Sequence, residues 1–246
     1  MAGHSKWANI KHRKAAQDAK RGKIFTKIIR ELVVAAKAGG ANPEDNPRLR
    51  AAVDKALGSN MKRDTIDKAV ARGAGAGEGE NYDEITYEGY ASGGIAVLVE
   101  CMTDNRNRTV ADVRHAFSKF GGNMGTDGSV AYLFNKLGII QVASSYEEDS
   151  IMEIALDAGA DDFIVADEFF EIITSAVNLS SVVEALHLQE IATLDAEITM
   201  RAETLVHLDQ ETSEKVLKIM NFMDDLDDVQ EVHTNAEFPD DFEEEA

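Results

Sequence analysis

The chain has 246 residues, enough for one large domain or two to three small ones, and its hydrophobic fraction of 44% is ordinary for a globular protein. Cys101 is the single cysteine, which excludes an internal disulfide, and the sequence contains no Cys/His cluster with zinc-ligand spacing. No apolar stretch approaches the ~18 residues that a membrane span needs. The basic N-terminus lacks the apolar segment of a secretory signal, so we expect a cytoplasmic protein without membrane contact.

The net charge of −20 is distributed very unevenly along the chain. Residues 1–75 carry +10, residues 76–138 carry −4 and residues 139–246 carry −26. A polyanion is therefore attracted to the first third of the chain and repelled by the last. This asymmetry predicts a nucleic-acid partner for the N-terminal part and a basic protein partner for the acidic domains.

A glycine-rich linker, GAGAGEGE at residues 73–80, coincides with the change of charge and predicts a first domain over residues 1–75. Within that domain Ile24, Ile28 and Leu32 recur at helical spacing. Two glycines end this helix, and Asn42-Pro43 is predicted to start the next. Two further short helices follow before the linker.

Beyond the linker the apolar pattern alternates between strand and helix periods. Strands are predicted near residues 85–89, 95–101 and 130–134, and Thr109 with Asp112 resembles a capping box that opens a helix. A later helix and strand at 213–223 and 229–233 complete this layer. We therefore predict a discontinuous α/β domain over residues 80–136 plus 206–238.

We predict that residues 137–205 form an acidic domain inserted into the discontinuous one, with the element order βαββαβ of the ferredoxin-like split motif. Its predicted strands and helices cover residues 138–143, 147–158, 162–166, 169–174, 179–188 and 191–199. The predicted fold class is thus α+β and multidomain: a helical N-terminal domain followed by two α/β domains of ferredoxin-like βαβ type, the third inserted in the second.

Cations recur at seven-residue spacing near the N-terminus, in the series Lys6, Arg13, Lys20, Lys27 and the series Lys23, Arg30, Lys37. Seven residues is about two helical turns, so each series stays on one helix face, which suits several phosphates at once. The alternative is a solvated face with Trp7 as a core anchor rather than a base-stacking platform. The predicted nucleic-acid-binding residues are Lys6, Trp7, Lys11, His12, Arg13, Lys14, Lys20, Arg21, Lys23, Lys27 and Arg30.

Arg106 and Arg108 precede a helix N-terminus, which makes them a possible anion contact or parts of a polar capping loop. The glycine-rich residues 121–129 match no nucleotide-binding motif and predict a turn. The acidic run at residues 224–228 is predicted to be a solvated turn. Cys101 lies in an apolar run and is predicted to be a core residue. No nucleophile–base pattern is present, so we expect no enzyme activity, no catalytic residue, no cofactor and no metal.

Five segments in order resemble the YebC/PmpR family. They are GHSKWANIKHRKAAQDAKRGKIFTK at residues 3–27, NMKRDTIDKAVARG at 60–73, YEGYASGGIAVLVECMTDNRNRT at 87–109, GGNMGTDGSVAYLF at 121–134 and DDLDDVQEVHTNAE at 224–237. The resemblance covers essentially the whole chain.

The resemblance implies three domains, the last inserted in the middle one, and a cytoplasmic DNA-binding transcriptional regulator. Relatives of this kind include a mitochondrial translational activator of cytochrome c oxidase, and some bacterial members look like translation factors. The alternative function is therefore an RNA- or ribosome-associated translation factor. We expect a monomer. The family's basic surface corresponds here to Lys6, Lys11, Arg13, Lys14, Lys20, Arg21, Lys23 and Lys27.

Overall fold

A computed structural model of the chain describes residues 18–75, 81–166, 169–239 and 242, with only the backbone for residues 18–21. The fold is α+β, and it divides into two compact units. The second unit is Tyr132–Leu205, and the first holds the other described residues. Among the described residues, no helix combines the length and the apolar character needed to cross a membrane.

The first unit begins with three helices: α1 (Asp18–Gly39), α2 (Pro47–Gly58) and α3 (Arg63–Gly73). Their apolar faces share a core that includes Leu32, Leu49 and Ile66, each at most 1% exposed. The sequence predicts that the second helix starts at Asn42-Pro43. This prediction is wrong, because helix α2 begins at Pro47. The reason is Asn46, whose side chain accepts from the backbone N–H of Leu49 and donates to the carbonyls of Ala35 and Gly40.

The first unit continues with an α/β part. Its strands are β1 (Asp83–Ala91), β2 (Ile95–Thr103), β3 (Asn123–Met124) and, late in the chain, β9 (Val229–Thr234); its helices are α4 (Arg106–Lys119) and α7 (Gln210–Asp224). The sheet order is β3-β1-β2-β9 with antiparallel neighbours. Strand β1 therefore lies between β2 and β3, so β2, α4 and β3 form a split βαβ unit.

The helices of this α/β part cover one face of its sheet. Val97, Val99 and Phe117 share a core with Met220 and Val229. The predicted capping box is wrong, because α4 begins at Arg106 behind Asn105, whose side chain accepts from the backbone N–H of Arg108. A short parallel pair, β8 (Val206–His207) and β10 (Ala236–Glu237), completes the unit.

The second unit has the element order βαββαβ. It contains β4 (Phe134–Ala143), α5 (Glu148–Asp157), β5 (Asp162–Val165), β6 (Phe169–Ser175), α6 (Leu179–Leu188) and β7 (Thr193–Ala202). The sheet order β5-β6-β4-β7 with antiparallel neighbours is that of the ferredoxin-like motif. The predicted strand over residues 130–134 is wrong, because Ala131–Leu133 forms a 3-10 turn and β4 starts only at Phe134.

Candidate nucleic-acid interface

The predicted nucleic-acid-binding residues fall into three groups. Six of them lie outside the described residues: Lys6, Trp7, Lys11, His12, Arg13 and Lys14. Lys20 and Arg21 lie in the first turn of α1, where only the backbone is described. Lys23, Lys27 and Arg30 follow on the same helix with their side chains described. A role in nucleic-acid binding stays a prediction for all three groups.

The three described cations contact the acidic segment Asp224–Asp228, which follows from the end of α7. Lys23 Nζ lies 3.1 Å from Asp225 Oδ1 and 2.9 Å from the Asp225 carbonyl oxygen. Lys27 Nζ lies 2.8 Å from Asp224 Oδ1 and 3.0 Å from its carbonyl oxygen. Ammonium groups satisfy the last carbonyls of a helix and interact favourably with its dipole. The cations of α1 therefore connect the helical part of the first unit to its α/β part.

Arg30 makes the most buried of these contacts. Its Nη1 lies 2.9 Å from Asp228 Oδ1, and the two side chains are 11% and 6% exposed. Nη1 also donates to the carbonyls of Met102 and Asp227, and the guanidinium lies 5.4 Å from the centre of the Tyr82 ring. The acidic run was expected to be a solvated turn; that prediction is wrong for Asp228, because a carboxylate surrounded by cationic and hydroxyl donors can be buried.

Asp228 also contacts Arg108, one of the two residues that the sequence offered as a possible anion contact. Asp228 Oδ2 accepts from Thr109 Oγ1 at 2.7 Å and from Arg108 Nη2 at 2.8 Å, in the first turn of α4. Burial raises the pKa of Asp228, but these hydrogen bonds and the charges of Arg30 and Arg108 outweigh burial, so its pKa lies below the usual range. Arg106 instead pairs with Asp83 at 2.8 Å.

The glycine-rich turn at residues 121–129 is organised by a second internal carboxylate. Glu88 of β1 is 7% exposed and accepts from the backbone N–H groups of Gly128, Val130 and Ala131 at 2.6 to 2.7 Å. Burial raises the pKa of Glu88, and the three N–H hydrogen bonds more than compensate, so its pKa is lowered overall. These three backbone N–H groups thus already have an acceptor within the chain.

A polar cleft of about 720 Å³ opens beside the Arg30–Asp228 contact. Besides those two side chains it is lined by Lys23, Arg108 and Tyr82, together with Asp104, Asp112, Asp225 and Asp227. Cations and carboxylates in these walls are already paired with each other. The cleft therefore has a mixed electrostatic character rather than the uniformly positive one that suits a phosphate chain.

The Cys101 thiol and a cluster of metal-ligand side chains lie outside the polar cleft. Cys101 is 2% exposed, and burial raises its thiol pKa to about 12, as befits a core residue rather than a nucleophile. Glu100, Glu231 and His233 bring three metal-ligand atoms within 4.8 Å of one another. The sequence predicted no metal site there, because the ligands come from two strands far apart in the chain.

The second unit is strongly acidic. Between residues 132 and 205 the sequence has 15 Asp/Glu residues and only two cations, Lys136 and Arg201. Arg201 is itself paired with Glu171 at 2.7 Å. Leu188, Leu194 and Ile198 are apolar side chains exposed on this unit, by 75%, 61% and 43%. Such a surface repels a polyanion and is compatible with a basic protein.

Two family models match the chain in succession. The TACO1/YebC protein N-terminal domain matches residues 5–76, and the TACO1/YebC second and third domain matches residues 82–236. A relative from Idiomarina loihiensis, named a probable transcriptional regulatory protein, is 61% identical over 242 residues, which cover 98% of this chain and 97% of the relative.

A second relative and a solved structure extend the comparison. The Alcanivorax borkumensis relative has the same descriptive name and is 61% identical over 247 residues, covering all of both chains. The crystal structure of a conserved hypothetical protein from Aquifex aeolicus has a TM-score of 0.84 and 44% identity, covering 93% of this chain and 95% of that one.

Proposed function

This chain belongs to the TACO1/YebC family, and we propose that it is a nucleic-acid-binding regulator of gene expression that contacts nucleic acid through its first 21 residues. The names of its relatives support the regulatory role. The first candidate function is that of a cytoplasmic, monomeric, DNA-binding transcriptional regulator. We assign it no catalytic residue and no cofactor.

One observation carries the assignment of the binding surface. Lys23, Lys27 and Arg30 are paired with the acidic segment Asp224–Asp228, so their positive charges are already compensated in part within the chain. Residues 1–21 contain six Lys/Arg and one acidic residue, Asp18. Clustered cations release counterions from a polyanion, which is the main source of sequence-independent affinity.

The test is a variant in which Lys6, Lys11, Arg13 and Lys14 are all replaced by Gln. With about 4 to 6 phosphate contacts, log K against log salt has a slope near −4 to −5, and removing four cations should reduce its magnitude by about 3 to 4. Fluorescence anisotropy with a labelled DNA duplex measures the affinity and its dependence on salt. The informative salt concentrations are about 50 to 200 mM.

A matched control removes the same charge elsewhere. Arg63, Lys68, Lys215 and Lys218 each pair with an acid one helical turn away on an exposed helix face. Their replacement by Gln changes the net charge equally, and we expect a much smaller effect on the slope. If the N-terminal variant kept the wild-type slope, or if both variants lost it equally, the first 21 residues would not be the binding surface.

A second candidate is an RNA-bound translation factor at the ribosome, favoured by the charge of the second unit. A duplex that runs along this unit meets repulsion at distances within the Debye length of about 8 Å at physiological salt. A ribosome offers RNA to the N-terminal residues and basic proteins to the acidic unit. Competition between a long DNA duplex and purified ribosomes at about 150 mM salt separates the candidates. Sequence-selective DNA binding that ribosomes cannot displace supports the transcriptional form.

A further inference from the structure

The second unit exposes most of the large apolar side chains on the described surface. Among the described residues, nine large apolar side chains are exposed, and seven of them lie between Tyr132 and Leu205, which is the smaller unit. Single exposed apolar side chains are normal, whereas neighbouring ones that together form a patch mark a surface for a partner. Two of the seven, Leu194 and Ile198, lie on the same strand, β7.

Leu194 and Ile198 belong to an apolar strip along β7. They are 61% and 43% exposed, and Ala196 between them is exposed as well, whereas the intervening residues are partly buried. The exposure thus alternates with the two-residue period of a strand, so the three side chains share one face. Ala196 lies opposite Ile140 of β4, and Ile140 shares a core with residues of α6. The strip is therefore on the sheet face that carries α6, but this helix leaves it uncovered.

The backbone of β7 can pair with a further strand. Among the described strands β7 is the end of the sheet order β5-β6-β4-β7, with β4 on one side only. An end strand presents a row of N–H and C=O groups that can pair with another chain. The Ala196 N–H donates to Asp195 Oδ1 at 2.9 Å, within β7 itself. Alternate residues of an antiparallel strand direct their backbone groups to the same side, so those of Ile198 point to the same edge as those of Ala196.

The charge of the second unit selects the kind of segment that can pair there. Between residues 132 and 205 the 15 acidic residues outnumber the two cations, and one cation, Arg201 of β7, is paired with Glu171. Glu184 lies on α6, which contacts β7, and Glu190 is exposed between α6 and β7. This charge repels a nucleic acid and also a second copy of the same unit, whereas it attracts a segment rich in Lys and Arg.

We propose that the outer edge of β7 binds an extended, basic segment of a partner protein as an additional strand. In strand addition the backbone hydrogen bonds supply affinity, and alternate side chains supply specificity. The apolar side chains of the segment cover Leu194 and Ile198, and its Lys and Arg side chains neutralise carboxylates of the unit. The proposal rests on the second candidate function, for which it specifies the protein partner, and it does not involve residues 1–21.

The experiment titrates the full-length, isotope-labelled protein with a peptide of alternating lysine and valine that matches the 10 residues of β7 in length. We expect saturable binding, with amide chemical-shift changes concentrated in β7. Raising the salt from about 0.1 to 1 M shortens the Debye length from about 10 to 3 Å and should weaken the binding. A peptide of alternating glutamate and valine should leave the β7 amides unchanged. Because the titration contains no nucleic acid, its failure would leave the test of the N-terminal residues unaffected.

Two matched variants place the same added charges on different parts of the unit. Leu194→Lys with Ile198→Lys should weaken binding of the lysine–valine peptide at least about tenfold, since burial of one such apolar side chain contributes about that factor. Val165→Lys with Val177→Lys makes the same change of charge at positions that are 55% and 87% exposed, and this variant should bind nearly as the wild type does.

The outcomes of this comparison are distinct. All four substituted positions are exposed, so both variants should fold, which circular dichroism verifies. Absence of saturable peptide binding, or equal weakening in both variants, overturns the proposal. A concentration-dependent dimer of the wild type that the β7 variant loses, measured by sedimentation velocity, would also overturn it, because a second copy of the chain would then be the occupant.

Discussion

Arg30 and Asp228 form a 2.9 Å ion pair between side chains that are 11% and 6% exposed, across 198 residues of sequence. Arg108 and Thr109 bind the same carboxylate from the first turn of α4. Arg30 Nε is buried without a hydrogen-bond partner among the described residues. The guanidinium therefore depends on Asp228 for its compensating charge, and the carboxylate joins the helical and α/β parts of the first unit.

Replacement of Asp228 by Asn should destabilise the first unit strongly. Removing one partner of a buried pair leaves an uncompensated charge, and the typical cost is about 3 to 5 kcal/mol. Urea unfolding followed by circular dichroism measures the change in the free energy of unfolding. The control is Asp225→Asn, because Asp225 and Lys23 are 57% and 43% exposed and an exposed pair contributes only about 0 to 1 kcal/mol. Equal effects of the two substitutions would contradict this account.

The carboxylate of Glu88 should make part of the stability depend on pH. Its pKa is lowered in the folded state, so the ionised form stabilises the fold above the unfolded pKa of about 4.3. This contribution is lost as pH falls from there through the lower folded pKa. Glu88→Gln should cost about 1 to 3 kcal/mol at neutral pH, because buried N–H groups lose an acceptor. Its free energy of unfolding should then fall less steeply on acidification.

A carboxylate on the same strand provides the comparison for Glu88. Glu84 is 52% exposed and pairs with Arg48 at the surface. Glu84→Gln should change the free energy of unfolding at neutral pH by only about 0 to 1 kcal/mol, because an exposed ion pair contributes that little. Thermal melts between about pH 3 and pH 7 give the stability of both Gln variants as a function of pH. A carboxyl group with the reference pKa titrates in about this range. A wild-type slope in Glu88→Gln would show that the hydrogen bonds to Glu88 do not lower its pKa.

Regular elements could be predicted from the sequence where one apolar period dominates. Helix α6 has the predicted bounds, residues 179–188, and the βαββαβ order of the second unit was predicted correctly. Helix starts were less predictable, because local patterns compete. Asn42-Pro43 and Asn46-Pro47 have the same cap-and-proline signature, and only the second places an asparagine where its amide reaches the end of α1.

The partners of the candidate site residues could not be predicted from local patterns. The sequence offered Arg106 and Arg108 as either a possible anion contact or a polar capping loop, and it predicted a turn for the glycine-rich residues 121–129. It did not indicate that Asp228, 120 residues away, is the anion, or that Glu88 binds the backbone of the turn. These contacts depend on strand register and on helix placement, which are long-range properties of the fold. The same holds for Glu100 and His233, which are 133 residues apart.

Cys101 should be unreactive in the folded protein. It is 2% exposed, and burial raises its pKa to about 12, so almost no thiolate is present at neutral pH. A chromogenic disulfide reagent should label less than about a tenth of the chains within minutes, whereas guanidinium-unfolded protein should release one equivalent. Rapid stoichiometric labelling of the folded protein would show that β2 opens readily or that Cys101 is accessible.

Gly58 and Gly73 each end a helix of the N-terminal part, but their surroundings differ. A Cβ atom at Gly73 would lie 2.8 Å from Ala36 Cβ and would clash with the carbonyl oxygen of Val33, both on α1. A Cβ atom at Gly58 would meet nothing within 4 Å. Neither glycine has the positive φ that disfavours other residues. The two positions therefore separate the effect of close helix packing from that of backbone entropy.

Gly73→Ala should destabilise the N-terminal part by about 1 to 3 kcal/mol, because α3 must move away from α1 to accommodate the methyl group. Gly58→Ala should instead be stabilising by about 0.4 to 1 kcal/mol, since alanine restricts the unfolded chain and fits the open site. Thermal unfolding of both variants measures the difference. Similar stabilities of the two variants would show that a methyl group at Gly73 fits between α3 and α1 without moving the helices apart.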